Sequence, residues 1–260
     1  MDDVVAALRS AGCVWAEEEA EQLRRAALDQ AVRTGEVAAS LLRRLVARRV
    51  AGEPLEHVVG RVRFAGMTLL VTPGVFVPRR RTEHLAELAV ERARPGSVIV
   101  ELCSGAAPVA AAVLAAEQEA VVHAVDSHPA AVACAERNLR DGHAHRGDLY
   151  GGLPRLLRRR VDVVVASPPY VPSDEVSLMP REARIYEERA ALDGGSDGLD
   201  LHRRILAEAP RWLAPGGQVL LECAARQAGA LTDLFREHGF SPEIARDEER
   251  EATAVVAPLL

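Results

Sequence analysis

Along the first fifty residues, apolar side chains return every three or four positions. Val4, Val5 and Leu8 are followed by Leu23, Ala26 and Ala27, then by Leu41, Leu42, Leu45 and Val46. That period belongs to helices that bury one face. Gly12 and Gly35 interrupt it, so the segment predicts a small bundle of short helices. The rhythm then changes. In "RVRFAGMTLLVTPG" Val62 and Phe64 alternate with arginines, and Leu70 and Val71 follow Ala65-Gly66, which predicts a hairpin. Thr72-Pro73-Gly74 reads as a turn, and a helix is expected from Thr82, taken as its N-cap, through "EHLAELAVERA".

From Ser97 onward, short apolar runs alternate with helical stretches. Strands are expected at 97–102, 121–126, 143–147, 161–166 and 217–223. Helices are expected near 108–116, 129–139, 200–213 and 225–238. The closing "PEIARDEEREATAVVAPL" reads as two further strands around a charged turn. Strand–helix alternation implies an α/β fold: a doubly wound, mostly parallel sheet, here of seven strands with an antiparallel pair at its end. The division that follows is a helical bundle at 1–55, a linking hairpin at 56–80 and the α/β domain at 81–260.

Composition narrows this picture in three ways. Hydrophobic residues make up 48% but aromatics only 3%, so the core must be built from Ala, Val and Leu. A net charge of −6 argues against a general nucleic-acid binder. The four cysteines, Cys13, Cys103, Cys134 and Cys223, have neither CxxC spacing nor a disulfide framework. The acidic start "MDDVVAALRS" lacks a signal-peptide core, and no apolar run reaches the length of a membrane span. A cytoplasmic protein with no membrane contact is expected.

Two stretches carry candidate chemistry. In "SVIVELCSGAAPVAAAVLAA" an apolar strand ends at Glu101, and Cys103, Ser104, Gly105, Ala106 and Ala107 form a loop of small residues. Small residues let backbone approach a ligand closely, and Pro108 suits a first helical turn. The next strand ends in Asp126, placed to accept hydrogen bonds from ribose hydroxyls. This is the layout of a nucleoside-cofactor site. A strict G-x-G-x-x-G is missing, which disfavours a dinucleotide pyrophosphate and tips the choice toward S-adenosylmethionine.

The second stretch is "VDVVVASPPYVP". Its valines predict a buried strand that Pro168 and Pro169 must end. Two prolines fix the direction of the Ser167 and Pro168 carbonyls, Ser167 adds a hydroxyl, and Tyr170 offers a flat face. Acceptors beside a stacking ring suit a planar NH2 group. Holding both N–H groups orients the nitrogen for in-line attack on a methyl sulfonium, by positioning and electrostatics.

With these residues in view, the chain resembles the HemK/PrmC-type protein N(5)-glutamine methyltransferases over nearly its whole length. "GEPLEHVVGRVRFAGMTLLVTPGVFVPRRRTEHLAELA", "VIVELCSGAAPVAAAVLA", "AVDSHPAAVACAERN", "GDLYGGLP", "VDVVVASPPYVP" and "ALDGGSDGLDLHRRILAEAPRWLAPGGQVLLE" follow one another in that family's order. The resemblance implies a class I, Rossmann-like methyltransferase that uses S-adenosylmethionine and releases S-adenosylhomocysteine. Glu101 and Cys103 to Ala107 would surround the methionine part of the cofactor, with Ser167 beside them. Asp126 would bind the ribose, and Asp148 and Leu149 would lie by the adenine. Ser167, Pro168, Pro169 and Tyr170 would hold the substrate amide, with Ser167, Pro168 and Tyr170 as the catalytic set. The implied partner is a protein, a peptide chain release factor methylated at the glutamine of its Gly-Gly-Gln loop.

The chain departs from the family pattern at three places. Ser167 stands where Asn is usual, the glycine-rich loop is reduced to "CSGAA", and "PRRRTE" carries Arg80 and Arg81 in place of a proline and an acid. These departures suggest a divergent paralogue. Two other functions stay open: N-methylation of a small-molecule or peptide NH2, and a methyltransferase-fold binding protein without activity. A DNA cytosine-N4 methyltransferase is disfavoured, since there is no room for a target-recognition domain. His143 and His145 read as a strand edge rather than as metal ligands, and no metal is expected. "GGSDGLD" reads as a flexible loop leading to a helix capped near Asp200, "RDEEREA" as a solvated turn, and Glu222 as a strand-end acid that either faces the site or is structural.

Overall fold

The computed structural model describes residues 2–260. The N-terminal helices are α1 (Asp3–Ser10), α2 (Ala16–Thr34), α3 (Ala38–Val50) and the short α4 (Leu55–Val59). Asp2 caps α1 by accepting the Val4 N–H at 3.1 Å, and Gly35 ends α2 at φ 74°, a conformation costly for any residue with a Cβ. Their apolar stripes meet in a core of their own, with Leu8, Leu23, Leu41, Leu45 and Val58 buried together. Val58 belongs to α4, so this core takes in one helix beyond residue 55. Arg49 closes it with a half-buried pair to Glu19 at 2.6 Å.

The hairpin β1 (Arg61–Phe64) and β2 (Met67–Leu70) pairs antiparallel around Ala65-Gly66 as the sequence predicts. Then follow α5 (Thr82–Arg92), β3 (Val98–Leu102), α6 (Pro108–Ala116), β4 (Val121–Asp126), α7 (Pro129–Asn138), β5 (His143–Arg146) and β6 (Val161–Ala166). The chain ends with α8 (Arg181–Tyr186), α9 (Asp200–Glu208), β7 (Leu213–Glu222), α10 (Ala228–Glu237), β8 (Glu243–Asp247) and β9 (Ala252–Pro258). The seven-stranded sheet runs β5-β4-β3-β6-β7-β9-β8, parallel except that β9 is antiparallel to both of its neighbours. One face packs Ile99, Val122, Val163 and Leu220 into the core shared with α5, α6 and α7. The other packs Val100, Val125, Val164 and Leu221 against α9 and α10. Burial on both faces is why these strands read as nearly continuous apolar runs.

Several boundaries differ from expectation for identifiable reasons. The helix expected to 213 stops at Glu208 and passes into a 3-10 turn at Ala209–Arg211, because Pro210 has no N–H to continue it. Thr82 is the first residue of α5 and not its cap; its side chain makes no capping bond and is buried. Asp200 likewise starts α9, while Asp197 accepts the Leu199 N–H at 3.0 Å. The "RDEEREA" turn is anchored: Arg250 pairs with Asp247 and, at 2.7 Å, with Glu87 on α5. The turns at 149–157 and the stretch around α8 carried no periodicity to read. No helix among the described residues is long and apolar enough to cross a membrane.

Candidate functional site

β3 lies between β4 and β6, so the strand order reverses there, and the carboxyl ends of β3 and β6 open the crevice where such sheets bind ligands. Register makes the juxtaposition specific. Leu102 pairs with Ala166, so the next residues, Cys103 and Ser167, leave the sheet side by side. β4 delivers Asp126 to the same end. A cavity of about 1030 Å³ opens there, lined by Glu101, Cys103 to Ala106, Asp126, Asp148, Leu149 and Ser167 to Tyr170. Ala107 is the one expected site residue that stays out of the lining. It is fully buried and forms the left-handed entry to α6.

The loop after β3 is bent hard. Cys103, Gly105 and Ala107 have φ of 52°, 53° and 57°, so two residues with a Cβ sit in the left-handed region at a cost of about 1 kcal/mol each. Asp126 holds the bend. Its Oδ2 accepts the Gly105 N–H at 2.8 Å and its Oδ1 the His128 N–H at 2.9 Å. Glu101 accepts the N–H groups of Val109 and Ala110, at 3.3 and 2.7 Å, and so occupies the N-terminus of α6. Burial pushes its pKa up to about 8 despite those two bonds. Burial also pushes the Cys103 thiol up to about 12, so it is a neutral wall and not a nucleophile.

On the β6 side, Tyr170 donates its hydroxyl to Glu222 Oε1 at 3.0 Å. Glu222 ends β7 and is 2% exposed; burial raises its pKa against the lowering effects of Thr82, Tyr170, Arg81 and Ser167. Arg81 places its Nε 3.8 Å from Glu222 and its guanidinium over the Tyr170 ring at 5.8 Å. Glu222, which the sequence left open between a site acid and a structural one, and Arg81, one of three successive arginines, both face the cavity. Arg79 turns inward to the buried Glu187, and only Arg80 reaches outward, to Glu249. The stretch "GGSDGLD" is no free loop. The Gly194 N–H donates to Val171 O at 2.8 Å, and Gln227 ties Tyr170 O and Asp197 O together at 2.9 Å each. A Cβ on Gly194 would lie 2.6 Å from Pro169 O. Two glycines five residues before a helix were the available signal for this support.

Asp148 is paired with Arg204 at 2.7 Å, while Leu149 is buried at φ 49°. His143 and His145 share one face with His123, which stacks on His143 at 4.7 Å and meets His145 through nitrogens 2.9 Å apart. They lie on β4 and β5, outside the cavity lining.

This sheet order and crevice, with acids closing two strand ends around a small-residue loop, define a class I S-adenosylmethionine-dependent methyltransferase. The chain matches the methyltransferase small domain family over residues 66–199. It is 39% identical to the release factor glutamine methyltransferase of Geobacter sulfurreducens, over 76% of this chain and 70% of that one. The enzyme of the same name from Streptomyces coelicolor is also 39% identical, over 74% and 70%. Among solved structures, a methyltransferase from Pyrococcus furiosus shares the fold with a TM-score of 0.55 at 17% identity, over 74% of this chain and 89% of that one. The chain belongs to the HemK/PrmC-type family of protein glutamine-N5 methyltransferases.

The site suits S-adenosylmethionine on its own chemistry. The N–H groups that would bind a pyrophosphate at the start of α6 are taken by Glu101, which leaves no donors there for a phosphate. Two acids and a buried Ser104 Oγ without a partner suit a ligand carrying cationic and hydroxyl groups.

Proposed function

We propose that this protein methylates the side-chain amide nitrogen of a glutamine in a peptide chain release factor, at the Gly-Gly-Gln loop. One observation carries the reading: Ser167 to Tyr170 and the 103–106 loop open onto one cavity because β3 and β6 are neighbours in register. When bound, S-adenosylmethionine supplies an electrophilic methyl group on a sulfonium.

The protein's part is to place the acceptor. Cys103 to Ala106 line the methionine end, Glu101 faces its cationic groups, Asp126 takes the ribose hydroxyls, and Leu149 and Asp148 border the base. Ala107 contributes by shaping the bend. The Pro168 carbonyl and the Ser167 oxygen accept the two amide N–H groups, which turns the nitrogen toward the methyl group and favours localisation of its lone pair. Tyr170 and the Pro168-Pro169 pair wall the amide plane and exclude water. Tyr170 stays protonated, since burial and Glu222 push its pKa up, so it acts as a ring and a hydroxyl donor and not as a base. No strong base is required: with a neutral thioether as the leaving group, the methylated nitrogen, strongly acidic while it carries its extra proton, gives that proton up to solvent through the oxygens that hold its N–H groups.

The test is transfer of labelled methyl from the cofactor to a purified release factor, with the modified residue located by mass spectrometry. Label on the glutamine of the loop supports the reading. Label found only in small metabolites or nucleic acid refutes it.

A further inference from the structure

A serine in an amide-binding position poses a problem that an asparagine does not. An amide oxygen is always an acceptor, whereas a hydroxyl accepts in a fixed direction only if its own hydrogen is committed elsewhere. Glu222 supplies that commitment. It is 2% exposed, its Oε1 takes the Tyr170 hydroxyl at 3.0 Å, and its Oε2 is buried without a hydrogen-bond partner. The Ser167 and Thr82 hydroxyls lie beside the same carboxylate. Its own backbone is pinned, for the Glu222 carbonyl accepts from His202 Nε2 at 2.8 Å. A free buried carboxylate oxygen beside a hydroxyl draws in that hydroxyl's hydrogen.

We propose that Glu222 is a positioning residue for the methyl acceptor. It takes the Ser167 hydrogen, which leaves the Ser167 oxygen as a fixed acceptor for one amide N–H, and through the Tyr170 hydroxyl it sets the plane of the ring. Arg81 balances the charge from 3.8 Å. The pair Ser167 and Glu222 thus does the work of one amide side chain. This inference rests on the glutamine reading above.

The test is a double-mutant cycle in the full-length chain, with S-adenosylmethionine and a purified release factor as substrates. Glu222→Gln is measured in the natural Ser167 background and in a Ser167→Asn background. With Ser167 present, an amide at 222 can donate to the Ser167 oxygen and spoil it, so kcat is expected to fall about 10- to 100-fold, with cofactor affinity within about twofold. In the Ser167→Asn background the amide oxygen needs no partner in order to accept, and the loss should be at least about fivefold smaller. Glu222→Asp, a milder change, should show the same dependence on background, and cofactor affinity reports whether each variant is folded. An equal loss in both backgrounds, or no loss with Ser167, would overturn the positioning role while leaving the glutamine reading intact. A natural protein that binds cofactor yet leaves the glutamine unlabelled would refute that reading and this inference with it.

Discussion

Replacing Glu101 by glutamine separates the two demands placed on that carboxyl group. Glu101 is 4% exposed, and its ionised form is so disfavoured by burial that it keeps its proton up to about pH 8. In the unfolded chain the same group releases its proton near its ordinary value of 4.5. Between those limits the folded state holds the extra proton, so folding loses stability as pH rises, by at most about 1.4 kcal/mol per pH unit. Glutamine does not titrate. At pH 5.5 the protonated carboxyl and the amide each offer one acceptor oxygen to the N–H groups of α6, so the folded states are alike and the variant should lead by only about 1 kcal/mol, the ionisation already open to the unfolded natural chain. By pH 7.5 the variant should have gained about 2–3 kcal/mol more on the natural protein. The assay is denaturant unfolding without cofactor, followed by far-UV circular dichroism at both pH values. Glu187 and Glu222, whose pKa values burial also raises, contribute equally to both proteins and cancel in the difference. A difference that stays flat from pH 5.5 to 7.5 would refute the buried, proton-holding state. With cofactor the lead should shrink: on the proposed reading the variant loses the acid that faces a cation, should bind S-adenosylmethionine about tenfold more weakly, and so forgoes about 1.4 kcal/mol of the stabilisation the natural protein gains.

Four further outcomes are expected. Ser167→Asn retains or raises transfer to a glutamine substrate, read by mass spectrometry; loss of transfer would contradict the acceptor role of position 167. Tyr170→Ala lowers kcat by about tenfold or more with little change in cofactor affinity by calorimetry, and an equal loss of cofactor binding would contradict the role of the ring. Gly194→Ala forces a Cβ to within 2.6 Å of Pro169 O and 2.8 Å of Tyr170 Cα, so it should cost about 1–3 kcal/mol and slow transfer; unchanged kinetics would show that the loop does not support the acceptor site. S-adenosylmethionine at 100 times its Kd should stabilise the protein by about 2.7 kcal/mol in a thermal shift, while NAD gives no shift, because Glu101 fills the helix N-terminus that a pyrophosphate needs.

Much of this protein is written locally. The period of three to four in residues 4–46 fixes the bundle, the valines at 161 and 163–165 fix a strand buried on both faces, and Pro168-Pro169 ends it wherever it lies. Small residues at 103–107 and an acid at 126 announce a close approach to a ligand, since size and charge need no partner to be read. The tertiary structure decided what those pieces face. Glu222 looks like any strand-end acid until β7 lies beside β6 and brings it under Tyr170. Arg81 reads within a run of three surface arginines until the start of α5 aims it at the same ring. Gly194 reads as flexibility until the backbone of Pro169 leaves it no room for a side chain. The meeting of Cys103 with Ser167, across more than sixty residues of chain, exists only because Leu102 and Ala166 share a register. Propensity, periodicity and turn chemistry act between near neighbours, so one strand can reveal them; the pairing of distant strands is settled by the packing of the whole sheet, and a site built between two of them follows from that packing alone.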